Sequence, residues 1–204
     1  SSVAERLTRI SKQQGGAQIG AIAAPTATLE ELYLLARIVR GLGSSNLDHR
    51  LRRTDFRDDA SEPLYPGLGC AIADLERLSS VLIIGSNLRA EVPIIAHRIR
   101  KAADRSGAKV SYINPTRYEY LFPLAGYLAS NGQGMFEHLV AVAAAAVRAS
   151  GSSVPASIAT LVANAQPSDA QTAVAAHLME GERRLILLGA IAQRDPAFPD
   201  LRLV

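Results

Sequence analysis

The feature that most constrains this chain is a run of about thirty residues ordered strand, small-residue turn, helix, strand. Val81-Leu82-Ile83-Ile84 closes on Gly85-Ser86-Asn87, and a helix follows with Pro93 in its first turn. A proline there loses little, because that N–H has no partner inside the helix. Val92, Ile95, Ala96 and Ile99 form the apolar stripe, Arg98, Lys101 and Arg105 the wet one, and Gly107 ends the helix. Val110-Ser111-Tyr112-Ile113 then reads as a second strand, closed by Asn114-Pro115. This is a right-handed βαβ crossover. The strands are apolar throughout instead of alternating, which predicts a parallel sheet covered on both faces.

The flanking segments extend the pattern. A helix is expected from Ala4 to Gln14, ended by Gly15-Gly16, and a short strand over Ile19–Ile22. Thr28 caps a helix whose first turn carries Glu30 and Glu31, favourable at the positive end of its dipole. Leu32, Leu35, Ala36 and Val39 form its apolar face and Gly41-Leu42-Gly43 stops it. Asn46 to Gly69, punctuated by Pro63, Pro66, Gly67 and Gly69, reads as a long loop. A short helix is expected over Ile72–Leu78. Beyond Gly132 come Ala-rich helices broken at Ser150–Ser153 and at Pro167. Leu185-Ile186-Leu187-Leu188-Gly189 then repeats the strand-then-glycine pattern. The chain stops at Leu201–Val204, the opening of another helix, as a fragment of a longer protein would.

Composition excludes several function classes. With 204 residues, 48% hydrophobic and 20% charged, the chain is neither disordered nor fibrous. No apolar run approaches the ~18 residues that cross a bilayer, and no signal-peptide core opens the sequence. A single cysteine, Cys70, excludes a disulfide framework or a four-thiolate cluster, and is expected to be a buried, inert thiol. A formal charge of +3, from 22 basic and 19 acidic residues, is too small an excess to argue for nucleic acid.

Gly85, Ser86 and Asn87 lie at a strand's carboxyl end, where open α/β sheets take ligands. On the residues alone, a tight turn explains Gly85 and Asn87 before a ligand does. Gly41-x-Gly43 and Gly67-x-Gly69 lack the third glycine of a dinucleotide fingerprint. Asp48-His49-Arg50-Leu51-Arg52-Arg53-Thr54-Asp55-Phe56-Arg57-Asp58-Asp59 mixes arginines with aspartates. Each Asp has an Arg close in sequence, so ion pairs account for it before a metal does. His97, His138 and His177 lack a ligand partner at i+4 and read as structural.

Taken together, Asn46-Leu47-Asp48, Ile72-Ala73-Asp74-Leu75-Glu76, Ile84-Gly85-Ser86-Asn87, the Pro93 helix, Gly107–Pro115 and Leu187-Leu188-Gly189 resemble the molybdopterin oxidoreductase superfamily, in its order. Asn46–Arg52, Thr54-Asp55-Phe56 and Ile72–Leu78 are most similar to its branch within bacterial NADH-quinone oxidoreductase (respiratory complex I), a family of large peripheral-arm subunits. The resemblance implies an α/β fold with Rossmann-like parallel-sheet lobes of the formate dehydrogenase type, with Ala-rich helices. It implies one lobe from residues 1–45 plus 183–204, and a second from 46–182 holding the βαβ unit and a helical tail.

Departures from the active enzymes shape the functional expectation. Those enzymes place a Cys, selenocysteine or Ser metal ligand just after the Asn-x-Asp string, where this chain has His49. They end the second strand with Asp-Pro-Arg, where this chain has Asn114-Pro115-Thr116 and so lacks an acidic anchor for a ribose hydroxyl. Gly85, Asn87 and Asn114 are thus expected as a vestigial cofactor contact, with no catalytic residue and no metal. The resemblance implies a non-catalytic scaffold domain in the peripheral electron-transfer arm. Iron–sulfur clusters would lie N-terminal to it, with neighbouring peripheral-arm subunits as partners. The location implied is cytoplasmic, peripheral to the inner membrane, and the isolated chain is expected to self-associate. The alternative is an active oxidoreductase domain using molybdopterin guanine dinucleotide.

Overall fold

The computed structural model describes residues 2–24, 26–49, 57, 60, 67–131 and 134–204. The chain divides into two compact units, Ser1–Thr54 and Asp55–Val204.

In the first unit, α1 (Ser2–Gln14) is followed by β1 (Ala21–Ile22), α2 (Leu29–Gly41) and β2 (Leu47–Asp48). Thr28 caps α2 through a full capping box: its hydroxyl accepts from the Glu31 N–H, and the Glu31 carboxylate accepts from the Thr28 N–H. β1 and β2 form a parallel two-stranded sheet, pairing Ala21 with Leu47 and Ile22 with Asp48. The Asn46–Gly69 loop expectation is therefore corrected at its start, where parallel ladder bonds draw Leu47 and Asp48 into a strand. Ser44 fastens this sheet, its hydroxyl donating to the Ile19 carbonyl at 2.6 Å. Arg50, Arg52, Arg53, Asp55, Asp58 and Asp59 lie outside the described residues.

The second unit is built on a four-stranded sheet, all parallel, in the order β5-β4-β3-β6. Its strands are β3 (Ser80–Ile84), β4 (Lys109–Asn114), β5 (Gly126–Ala129) and β6 (Arg184–Leu188). Between β3 and β4 run the single turn α3 (Leu88–Glu91) and α4 (Pro93–Ser106), the latter closed by Gly107 in the left-handed conformation. A 3-10 turn, Ile72–Arg77, precedes β3. Between β5 and β6 lie α5 (Gly134–Ser150), α6 (Ala159–Asn164) and α7 (Asp169–Met179), and α8 (Phe198–Leu203) follows.

The uniformly apolar β3 is explained by its position: every residue of it is buried. Val81 and Ile83 face one layer, packing with Leu75, Ala96 and Ile99 of the 3-10 turn and α4. Leu82 and Ile84 face the other, packing with Leu139, Val142 and Val174 of α5 and α7. Each such side chain contributes roughly 1.5–3 kcal/mol by leaving water.

Two expectations are corrected here. The strand at Leu185, expected to share a lobe with residues 1–45, pairs along its whole length with β3, Ser80 to Arg184 through Ile84 to Leu188. A parallel partner bearing Leu185 and Leu187 extends the apolar layer that Val81 and Ile83 begin. Cys70, expected to be buried, is exposed: it sits in the bend after Gly69, between Leu68 and Leu75, which pack into the core while it does not.

Candidate functional site

The strand order sets where a site can form. β3, β4 and β5 step to one side, and β6 returns to the other side of β3, so the topological switch point falls between the carboxyl ends of β3 and β6. Open α/β sheets take ligands at that place. Of the residues singled out from sequence, Gly85 and Asn87 lie there, and Asn114, at the end of the neighbouring β4, is joined to their loop through Ser86. His49 belongs to the first unit; it is exposed, and its N–H donates to the Asp48 carboxylate at 2.7 Å.

Gly85 turns the chain out of β3 with φ +58, a conformation that favours glycine. Its N–H donates to the Ile113 carbonyl at 2.9 Å, and its own carbonyl accepts from Ile191 and Ala192 at 2.9 and 3.1 Å. Asn114 is completely buried. Its Oδ1 accepts from the Ser86 N–H at 2.9 Å, and its Nδ2 donates to the Ser86 and Thr116 carbonyls, each at 3.0 Å. The Asn87 N–H donates to Glu91 Oε1 at 2.8 Å. Glu91 Oε2 accepts from the Ser86 hydroxyl and the Ala190 N–H, both at 2.9 Å.

Sequence reasoning assigned no role to Glu91. The signal was present: a carboxylate four residues after an Asn at a strand end, on a single helical turn, reaches back to loop N–H groups.

A cleft of about 330 Å³ opens beside this network, lined by Asn87, Arg100, Tyr112, Tyr118, Tyr120 and Phe122 among others. The Tyr112 and Tyr120 rings sit 4.4 Å apart at the centroids. Burial raises both phenols above the usual range, most strongly Tyr112. Only the residue types gave a clue to this cleft, three aromatics within five residues of an aromatic-poor chain. The network does pair a hydroxyl with a carboxylate, Ser86 donating to Glu91 at 2.9 Å, but Ser86 is fully buried and so closed to a substrate.

Of the three histidines expected to be structural, His138 is held at both ring nitrogens, whereas His97 is exposed on the cleft wall and His177 Nδ1 is buried without a hydrogen-bond partner among the described residues. His138 Nε2 lies 3.0 Å from the Ala129 carbonyl, and Nδ1 lies 2.8 Å from Gln171 of the α7 capping box. Among the described residues, no three His, Cys, Asp or Glu side chains are grouped as a metal would require. No helix among them is long and apolar enough to cross a membrane.

Comparison with known proteins adds the family context. Residues 1–191 match the pattern that defines the family described as molybdopterin oxidoreductase. An F420-dependent formate dehydrogenase subunit alpha from Methanocaldococcus jannaschii is 35% identical over 104 residues, 49% of this chain and 15% of that protein. A Staphylococcus haemolyticus protein named as a formate dehydrogenase is 31% identical over 117 residues, 54% of this chain and 12% of that protein. A Bacillus subtilis protein named as an oxidoreductase is 28% identical over 123 residues, 57% of this chain and 12% of that protein. The chain thus spans about one-eighth to one-seventh of the length of these relatives.

Proposed function

The chain belongs to the molybdopterin oxidoreductase family, and from that premise we propose that it serves as an α/β scaffold in a large redox subunit of the kind found in the peripheral arm of complex I. In this reading it supplies neither a molybdenum nor a tungsten ligand. The observation that carries the proposal is the donor set. Metals of this family select soft ligands, and the position just after the Asn46-Leu47-Asp48 string holds His49, while the chain's one thiol, Cys70, lies outside that string. An imidazole in an arginine-rich stretch of sequence offers such a metal little, so the residues present do not fit the family's metal centre.

What the resemblance implies completes the proposal. Peripheral-arm subunits would be the partners, iron–sulfur clusters would lie N-terminal to this region, and the setting would be the cytoplasmic face of the membrane. Self-association of the isolated chain is part of it, since Leu29, Tyr33, Leu34 and Ile38 of α2 are exposed.

A second reading is an active domain that takes molybdopterin guanine dinucleotide. It is favoured by the relatives, two of which carry formate dehydrogenase in their names. The family findings weigh toward this second reading, whereas the residues weigh toward the first.

Affinity purification of the protein from its own cells, with its bound partners identified and their activities assayed, separates the two. The scaffold reading expects co-purifying iron–sulfur subunits and NADH-dependent quinone reduction. Formate oxidation in the purified material, without NADH oxidation, would contradict it.

A further inference from the structure

The family's sheet is expected to take a nucleotide at the β3–β6 switch point, and the residues at that place do something else. We propose that this crevice is sealed by the chain's own groups, with Glu91 as the latch across it and Asn114 fixing the β3 loop against the end of β4. The functional meaning of this rests on the scaffold reading, but it stands on different residues.

The first observation is backbone contact across the switch point. The Gly189 N–H donates to the Ile84 carbonyl at 2.9 Å, and the Gly85 carbonyl accepts from both Ile191 and Ala192. A Cβ built on Gly85 would strike the Ala192 backbone, and one on Gly189 would strike Ser86. In a ligand-binding loop, glycines at such positions let a phosphate approach the main chain. Here each glycine admits the opposite loop instead, so the loops leaving β3 and β6 are in direct contact.

The second observation is what Asn114 spends its amide on. Both Nδ2 hydrogens are given to carbonyl oxygens, of Ser86 and Thr116, while Oδ1 takes the Ser86 N–H. The residue's own carbonyl accepts from the Ser130 N–H and the Tyr127 hydroxyl, both at 3.1 Å. An aspartate has no hydrogen to give, so its carboxylate would face two carbonyl oxygens in a site without water access. Asparagine is therefore required here, and this side chain cannot read a ribose hydroxyl while it ties the β3 loop to the end of β4.

The third observation concerns the donors that an anion would need. The N–H groups of Asn87 and Ala190, and the Ser86 hydroxyl, converge on one acceptor, and that acceptor is the Glu91 carboxylate. Converging loop N–H groups are the kind of donor set that binds phosphate in anion sites. Their charge requirement is met internally, and the same contacts weld the β6 loop to the β3 loop.

Guanosine diphosphate is the probe. Calorimetric titration of the chain should give no saturable heat up to about 1 mM. Asn114→Asp should lower Tm by at least about 5 °C and gain no binding. Should that variant fail to fold, Glu91→Gln keeps the side-chain shape while placing an NH2 against one set of donors. It should speed hydrogen exchange at the Asn87 and Ala190 amides at least tenfold, leaving the Val81–Ile84 amides unchanged. Saturable binding by the wild-type chain, an Asn114→Asp variant as stable as wild type, or unchanged exchange in Glu91→Gln would each overturn the latch. Nucleotide binding without molybdenum or tungsten would sink the latch and spare the scaffold reading. Molybdenum or tungsten in a chain that ignores the nucleotide would do the reverse.

Discussion

At the scale of single residues, glycine conformation and glycine space are separable in this chain. Gly107 closes α4 with φ +68 and has nothing within 4 Å of where a Cβ would sit. Gly107→Ala should therefore cost only the left-handed backbone penalty, about 1–2 kcal/mol. Gly85 has a similar φ of +58, but its Cβ position is filled by Ala192. Gly85→Ala adds an overpacking cost of about 1–3 kcal/mol to the same penalty. Urea unfolding of the two variants measures the difference; equal losses would mean that the β3 and β6 loops are not in contact. What was legible in the sequence at this scale was position and not role. Gly85, Asn87 and Asn114 could be placed at strand ends, yet their partners, residues 189–192 and Glu91, follow from a fold-back that no local pattern records.

At the scale of elements, Glu76 ties the 3-10 turn before β3 to α4. Its carboxylate pairs with Lys101 at 3.0 Å and with Arg98, and its side chain is 26% exposed. Hydrogen bonds from Lys101 first and Arg98 second lower its pKa from the ordinary value of 4.5 to about 2. A carboxylate whose folded pKa is depressed stabilises above its unfolded value and loses that contribution as pH falls through the folded one. The stability gap between wild type and Glu76→Gln should be level from pH 7 to about 5, then close between pH 4.5 and 2. A gap unchanged by pH would show that the pairing does not stabilise the fold.

The elements legible from sequence are those with strong local signals. β3, α4 and β4 show continuous apolar runs, Pro93 in a first turn and Gly107 at a helix end. β5 escaped because Gly126-Tyr127-Leu128-Ala129 is short, and its glycine weakens any strand pattern. β6 was legible as a strand but not as the partner of β3, since the pairing joins Ser80 to Arg184 and leaves no trace in either segment alone.

At the scale of the whole molecule, the scaffold reading separates fold from cofactor. The parallel order β5-β4-β3-β6 is the framework that positions a ligand in open α/β sheets. Apolar packing on both faces of β3 holds that framework together. The framework was readable because periodicity and turn residues encode it. The state of its ligand site was not, because that turns on which donors face which acceptors across loops a hundred residues apart, as Glu91 and Ala190 do.

The central claim is that this chain keeps the family's fold without its redox centre. Mass-spectrometric metal analysis of the protein purified from its own cells, with fluorescence of any oxidised pterin released on denaturation, tests it most directly. Molybdenum and tungsten far below one per chain, with no pterin emission, are the predicted result. Stoichiometric molybdenum or tungsten accompanied by pterin would contradict it and establish an active oxidoreductase.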